Sequence, residues 1–218
     1  AQPRTLITVE HAGYLLIVVA GIALRLLALG QTPLSPAESA ASWPAWLDAW
    51  AIQVDAMPQP ASALLHALQL FIFWSSGGGA DWLARLPVAL SGTLLPLLPW
   101  FWRGRLGRIA ALTAALLLAV DPWLLALGRT ANSTLLSVTL ALVALTALHT
   151  LARNPGRARY FACIAAGLLL VSGPQAWSWL LLLALYMVIV RPLRPVEAAT
   201  QDADPSQKIW NDWRAPVA

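Results

Sequence analysis

Arg103-Gly104-Arg105-Leu106-Gly107-Arg108 and Arg153-Asn154-Pro155-Gly156-Arg157-Ala158-Arg159 each set three arginines between long apolar runs. Short arginine-dense loops beside apolar spans mark the cytoplasmic side of a membrane protein. With both loops inside, the stretches around them acquire sides. Ile109–Leu127 and Ala131–Leu151 read as two spans that join outside. Trp82–Trp102, carrying Pro87, Pro96 and Pro99, reads as a span that enters from outside. Upstream, Gln31–Pro60 holds Glu38, Asp48 and Asp55, no Lys or Arg, and Trp43, Trp46 and Trp50. An acidic, tryptophan-bearing segment of this kind reads as an outer loop resting on the interface.

Charge parity then decides Ala61–Trp74. If it crossed, the arginine loops would fall on the outer side, so it reads as a lateral or re-entrant helix; its length of about 14 residues agrees. Ala12–Gly30 is the first span, too long for a signal peptide. Tyr160–Val190 is interrupted by Ser172-Gly173-Pro174. As one helix it would be roughly 46 Å long, so it reads as a hairpin, 160–171 and 175–190. The expectation is an all-α integral membrane protein with about six crossings plus one lateral helix. Residues 1–190 form the helical domain, and 191–218 form a polar cytoplasmic tail. Both termini are cytoplasmic, and the location is a bacterial inner membrane.

Composition agrees. The chain has 218 residues, is 59% hydrophobic and 11% charged, with a mean hydropathy of +0.66, against roughly 25% charged for soluble domains. The net charge of +4 sits in loops between apolar runs, so nucleic acid is not an expected partner. The lone Cys163 permits no internal disulfide. His66 and His149 fall on opposite sides of the expected membrane, so haem is not expected. No His/Cys cluster suggests a metal, and no phosphate-cradling glycine motif occurs. Ala110, Ala111, Ala114 and Ala115 read as a small-residue packing stripe.

The order of elements carries a resemblance. A span, an outer segment with an acidic motif and a lateral helix precede Arg85-Leu86-Pro87-Val88-Ala89-Leu90-Ser91-Gly92-Thr93. Gly104-Arg105-Leu106-Gly107-Arg108 follows, then Asp121-Pro122-Trp123 through Gly128-Arg129-Thr130, and a glycine-bearing span from Ala166-Gly167 to Gly173. Over about Ala12 to Val190 this resembles the N-terminal half of the GT-C glycosyltransferases, in the protein-mannosyltransferase-like and aminoarabinose-transferase-like group. The resemblance implies a polyprenyl-phosphate sugar donor and chemistry on the outer face. It also implies an Asp-Glu pair early in the first outer loop, whose Asp acts as base, and further spans beyond this half. Here the pair reads Ala37-Glu38, and a methyl group cannot take a proton. Asn132, Ser133 and Thr134 follow Arg129 where the family tends to carry an acid, and Ser172-Gly173-Pro174-Gln175 stands where a lysine is common.

These departures point to a non-catalytic GT-C-like subunit with a structural or assembly role in a larger membrane complex, an energy-converting one among the hosts that fit. Its partners would be other membrane subunits and lipids. The alternatives are an active lipid-linked-sugar glycosyltransferase, with Glu38 and Asp121 as its acids, and a lipid-phosphate binder. Lipid phosphate would meet Arg129, Arg85 or Arg25. Arg25 could instead pair with Glu38 or Asp121, and Asp121 with Arg129 or Arg85.

Overall fold

Helix-starting caps and helix-breaking prolines divide the chain, and the computed structural model describes residues 9–27, 29–54, 59–150 and 155–190. The first helix, α1, is Val9–Leu26. Ser35-Pro36-Ala37-Glu38 is a capping box. Ser35 Oγ accepts from the Glu38 N–H at 3.3 Å, and Glu38 Oε2 accepts from the Ser35 N–H at 2.8 Å. It starts α2, Pro36–Ala49, so much of the expected outer loop is helix. Ser62 Oγ caps α3, Ala63–Ser76, which Gly77 ends in the left-handed conformation (φ 65°) that glycine adopts at no steric cost.

Next come α4, Asp81–Thr93, a 3-10 turn at Leu95–Leu97, and α5, Leu98–Leu106. Together they make one helical run of 26 residues despite the three prolines. The expected span Ile109–Leu127 is broken in the structure. It consists of α6, Arg108–Val120, and α7, Pro122–Gly128, bent by 50°. Pro122 has no N–H to offer the Leu118 carbonyl four residues back, and Asp121 leaves helical geometry at ψ 119°. Ser133–Thr150 is α8, Pro155–Leu170 is α9 and Ala176–Val190 is α10. Arg157 and Arg159 thus belong to the backbone of α9 rather than to a loop; Arg153 and the tail lie outside the described residues.

All regular structure among the described residues is helical. By length and apolarity, Asp81–Leu106 can cross a membrane, and the bent α6–α7 pair can if it counts as one span. Six crossings would require α1, α8, α9 and α10, of 18, 18, 16 and 15 residues, to cross as well.

Residues Ala1–Leu180 form one unit. Within it α4 packs on α1, α3, α7 and α8. Ala111, Ala115 and Ala119, four residues apart, press α6 onto Tyr14 and Ile17 of α1. Small side chains there let two helix backbones approach closely; the seam is shifted from the expected stripe, since Ala110 is exposed. Leu65, Val88, Leu95, Leu135 and Leu136 join α3, α4, the 3-10 turn and α8. The second unit is Leu181–Ala218. Its described part is the end of α10, with Leu181, Leu182, Leu185 and Val188 exposed.

Arg25 is fully buried in α1. Its Nη1 donates to the carbonyls of Gly21 (3.2 Å) and Ala119 (3.1 Å), and its Nη2 donates to that of Leu118 (2.8 Å). Leu118 is the carbonyl that Pro122 leaves without a donor, so Arg25 caps the broken end of α6. Gly92 makes room for it: a Cβ there would lie 2.9 Å from Leu135 Cδ2 and 3.0 Å from Arg25 Nε. Gly92→Ala is expected to cost about 1–3 kcal/mol through overpacking. Gly167→Ala on α9, where a Cβ meets nothing within 4 Å, should be neutral or stabilising through helix propensity. Thermal unfolding in detergent compares the two; equal losses would refute the packing argument.

Candidate functional site

Three chain segments converge on the Glu38 carboxylate. Its Oε1 accepts from Arg85 Nε at 2.9 Å and from the Ala131 N–H at 2.8 Å. Its Oε2 accepts from Arg85 Nη2 at 3.0 Å and from the Ser35 N–H at 2.8 Å. The rest of the guanidinium serves the α1–α2 connection. Nη1 donates to the Leu29 and Thr32 carbonyls (2.9 and 2.8 Å), and Nη2 to that of Pro33 (3.0 Å). Both residues are buried. Burial alone would raise the Glu38 pKa, but the hydrogen bonds from Arg85, Ser35 and Ala131 outweigh it and hold the carboxyl at about 2 rather than the usual 4.5. Such a carboxylate is a poor base near neutrality, because every bond it accepts stabilises the ionised form.

Beside this pair lies a cleft of about 400 Å³ whose walls include Ser35, Ala37, Glu38, Ser62, Leu127 and Asn132. Ala37 is exposed there, so a methyl group stands where the resemblance implies a base. Glu38 is the one acid among the described lining residues.

The other candidates fall elsewhere. The donors of Arg85 are occupied by a carboxylate and carbonyls, and Arg25 is sealed at the α6–α7 break. Neither fits the expected phosphate contact. Arg25 pairs with backbone carbonyls rather than with Glu38 or Asp121, and Asp121 pairs with neither arginine proposed for it in the described hydrogen bonds. Asp121 is exposed, and its Oδ1 accepts from the Leu124 N–H at 2.9 Å to cap α7. Arg129 is exposed at the end of α7, with Nη2 donating to the Leu24 carbonyl at 2.8 Å. Neither lines the cleft. His66 Nε2 lies 3.0 Å from Asp48 Oδ2, tying α3 to α2. The His149 ring stacks on Trp102 at 4.4 Å.

A contributor that escaped the sequence reading is the Ala131 N–H, whose role no side-chain pattern announces. The Ser35 cap did have a signal, Ser-x-x-Glu ahead of a helix.

A family model described as dolichyl-phosphate-mannose-protein mannosyltransferase matches residues 58–198. The chain belongs to this family. No curated protein and no solved structure matches it. Membership in the mannosyltransferase family makes this a GT-C-like, glycosyltransferase-related protein associated with membranes. The match takes in Arg85, Asp121 and Arg129 and starts C-terminal to Glu38. The ion pair therefore ties the matched region to α2, which precedes it.

Proposed function

We propose that this mannosyltransferase-family chain is non-catalytic and serves as a subunit of a larger membrane assembly, crossing a bacterial inner membrane about six times with both termini cytoplasmic. One observation carries the reading: the acid lining the cleft is saturated by Arg85, Ser35 and Ala131, and its neighbour is Ala37. General-base catalysis needs a group that can reach the acceptor and take its proton. Glu38 has no lone-pair direction left for this, and Asp121 is not part of the cleft.

What remains is a scaffold with wide apolar faces. Ile109 and Trp123 on α6 and α7, and Phe161 and Ile164 on α9, are more than half exposed. Such faces suit neighbouring helices and lipid. Of the three arginines, Arg129 is the one whose exposure leaves it free to touch a lipid phosphate.

Purified chain supplied with polyprenyl-phosphate-mannose and acceptor peptides is expected to give no transfer. In mild detergent it should elute in a stoichiometric complex identifiable by mass spectrometry. Turnover of the lipid-linked sugar would remove the non-catalytic reading. Elution only as a free monomer would remove the subunit reading. Glu38→Gln is unsuitable as an activity probe, because it breaks a buried ion pair and so confounds chemistry with folding.

A further inference from the structure

The cleft beside Ala37 is more than a lost active site, because its lining has a definite chemistry. Ser35 Oγ and Ser62 Oγ each accept from a helix N–H (Glu38 and Leu65), which leaves their hydroxyl protons to donate. Asn132 Oδ1 accepts from the N–H and hydroxyl of Thr134, which leaves its amide NH₂ to offer. Thr130 Oγ1 donates to the Leu127 carbonyl and keeps its lone pairs. Glu38 is neutralised by Arg85, and no free cation is among the described lining residues. Leu65, Leu127 and Ala41 supply an apolar part of the wall.

With Glu38 already paired to Arg85, an anionic headgroup entering here would find no free cation to receive it among the described lining residues. A hydroxyl-rich neutral group would find donors and acceptors together, as polar ligands require. A cleft of about 400 Å³ lies in the ordinary range for small ligands. We infer that it binds the uncharged, hydroxylated headgroup of a glycolipid, with the Leu65–Leu127 wall against the start of the apolar portion. The inference rests on the non-catalytic reading: the site holds its ligand without cleaving it.

The test uses the full chain in nanodiscs, with lipid retention read by native mass spectrometry. The probes are a neutral galactosyl-diacylglycerol, phosphatidylglycerol and free methyl galactoside. The galactolipid should be retained in preference to both others. Ala37→Leu and Ala61→Leu fill the cleft from exposed positions on different segments, so either serves if the other does not fold. Each should cut retention about tenfold by overfilling the site, with the melting temperature held near that of the parent.

Equal retention of phosphatidylglycerol with the same sensitivity to the variants would overturn the inference, as would galactolipid retention that ignores both. Binding of the free glycoside as tightly as the lipid would refute the lipid source. Absence of galactolipid retention sinks this inference and leaves the non-catalytic reading standing, whereas sugar transfer sinks that reading whatever lipid binds.

Discussion

Arg85→Met is expected to lower stability by about 3–5 kcal/mol, the range for breaking one side of a buried ion pair. The loss follows from what the guanidinium touches. Without it, Glu38 keeps a buried charge facing two N–H groups, and the Leu29, Thr32 and Pro33 carbonyls lose their donor. Glu38→Leu combined with Arg85→Met should recover part of the deficit, because replacing both partners removes the uncompensated charge. The folded carboxyl sits near 2 against 4.5 for an ordinary one, a depressed value. Its contribution is therefore complete above about pH 4.5 and lost as pH falls through 2, amounting to about 3 kcal/mol. The advantage of the parent over Glu38→Gln in chemical or thermal unfolding should shrink steadily from pH 5 downward. A constant gap over that interval would contradict the pairing, as would an Arg85→Met variant as stable as the parent.

Arg25→Met should be nearly as damaging, by about 2–5 kcal/mol, since the buried Ala119 carbonyl and the partly buried Leu118 carbonyl lose their donor. Its signature is a dependence on Pro122. In the parent, Pro122→Ala supplies an N–H for a carbonyl that Arg25 already serves, so it gains nothing there. In Arg25→Met the same N–H can reach Leu118 and let α6 continue. The double mutant is therefore expected to be more stable than the sum of the single effects by about 1 kcal/mol or more, the size of coupling found between residues that share a partner. Strict additivity in the double-mutant cycle would mean that Arg25 does not act through the break.

Particular residues explain what could be read in advance and what could not. Apolar run lengths located most helices, and Ser172-Gly173-Pro174 marked the break between α9 and α10, because these are local signals. Ser35 through Glu38 was equally local, yet the surrounding prolines and tryptophans gave the segment the look of a loop. Asp121-Pro122 also carried its meaning openly, since a proline in an apolar run kinks or ends the helix before it; the even hydropathy of Ile109–Leu127 concealed it. Partners were another matter. Glu38 and Arg85 are 47 positions apart and Arg25 and Ala119 are 94 apart. Nothing in either neighbourhood states which arginine meets the acid and which meets bare carbonyls. The family match, by contrast, spans residues 58–198, so it is independent of Ala37 and of the acid beside it.

The ring closed through Glu38 also has a timetable. During synthesis the carboxylate emerges long before its guanidinium, and the loop between them shuts only after position 85 has been made. The second closure, to the Ala131 amide, spans 93 positions and waits until the turn before α8 is available. Each closure costs chain entropy that rises slowly with its length. In chain order, therefore, α2 can be tied to α4 before it is tied to the turn that leads into α8.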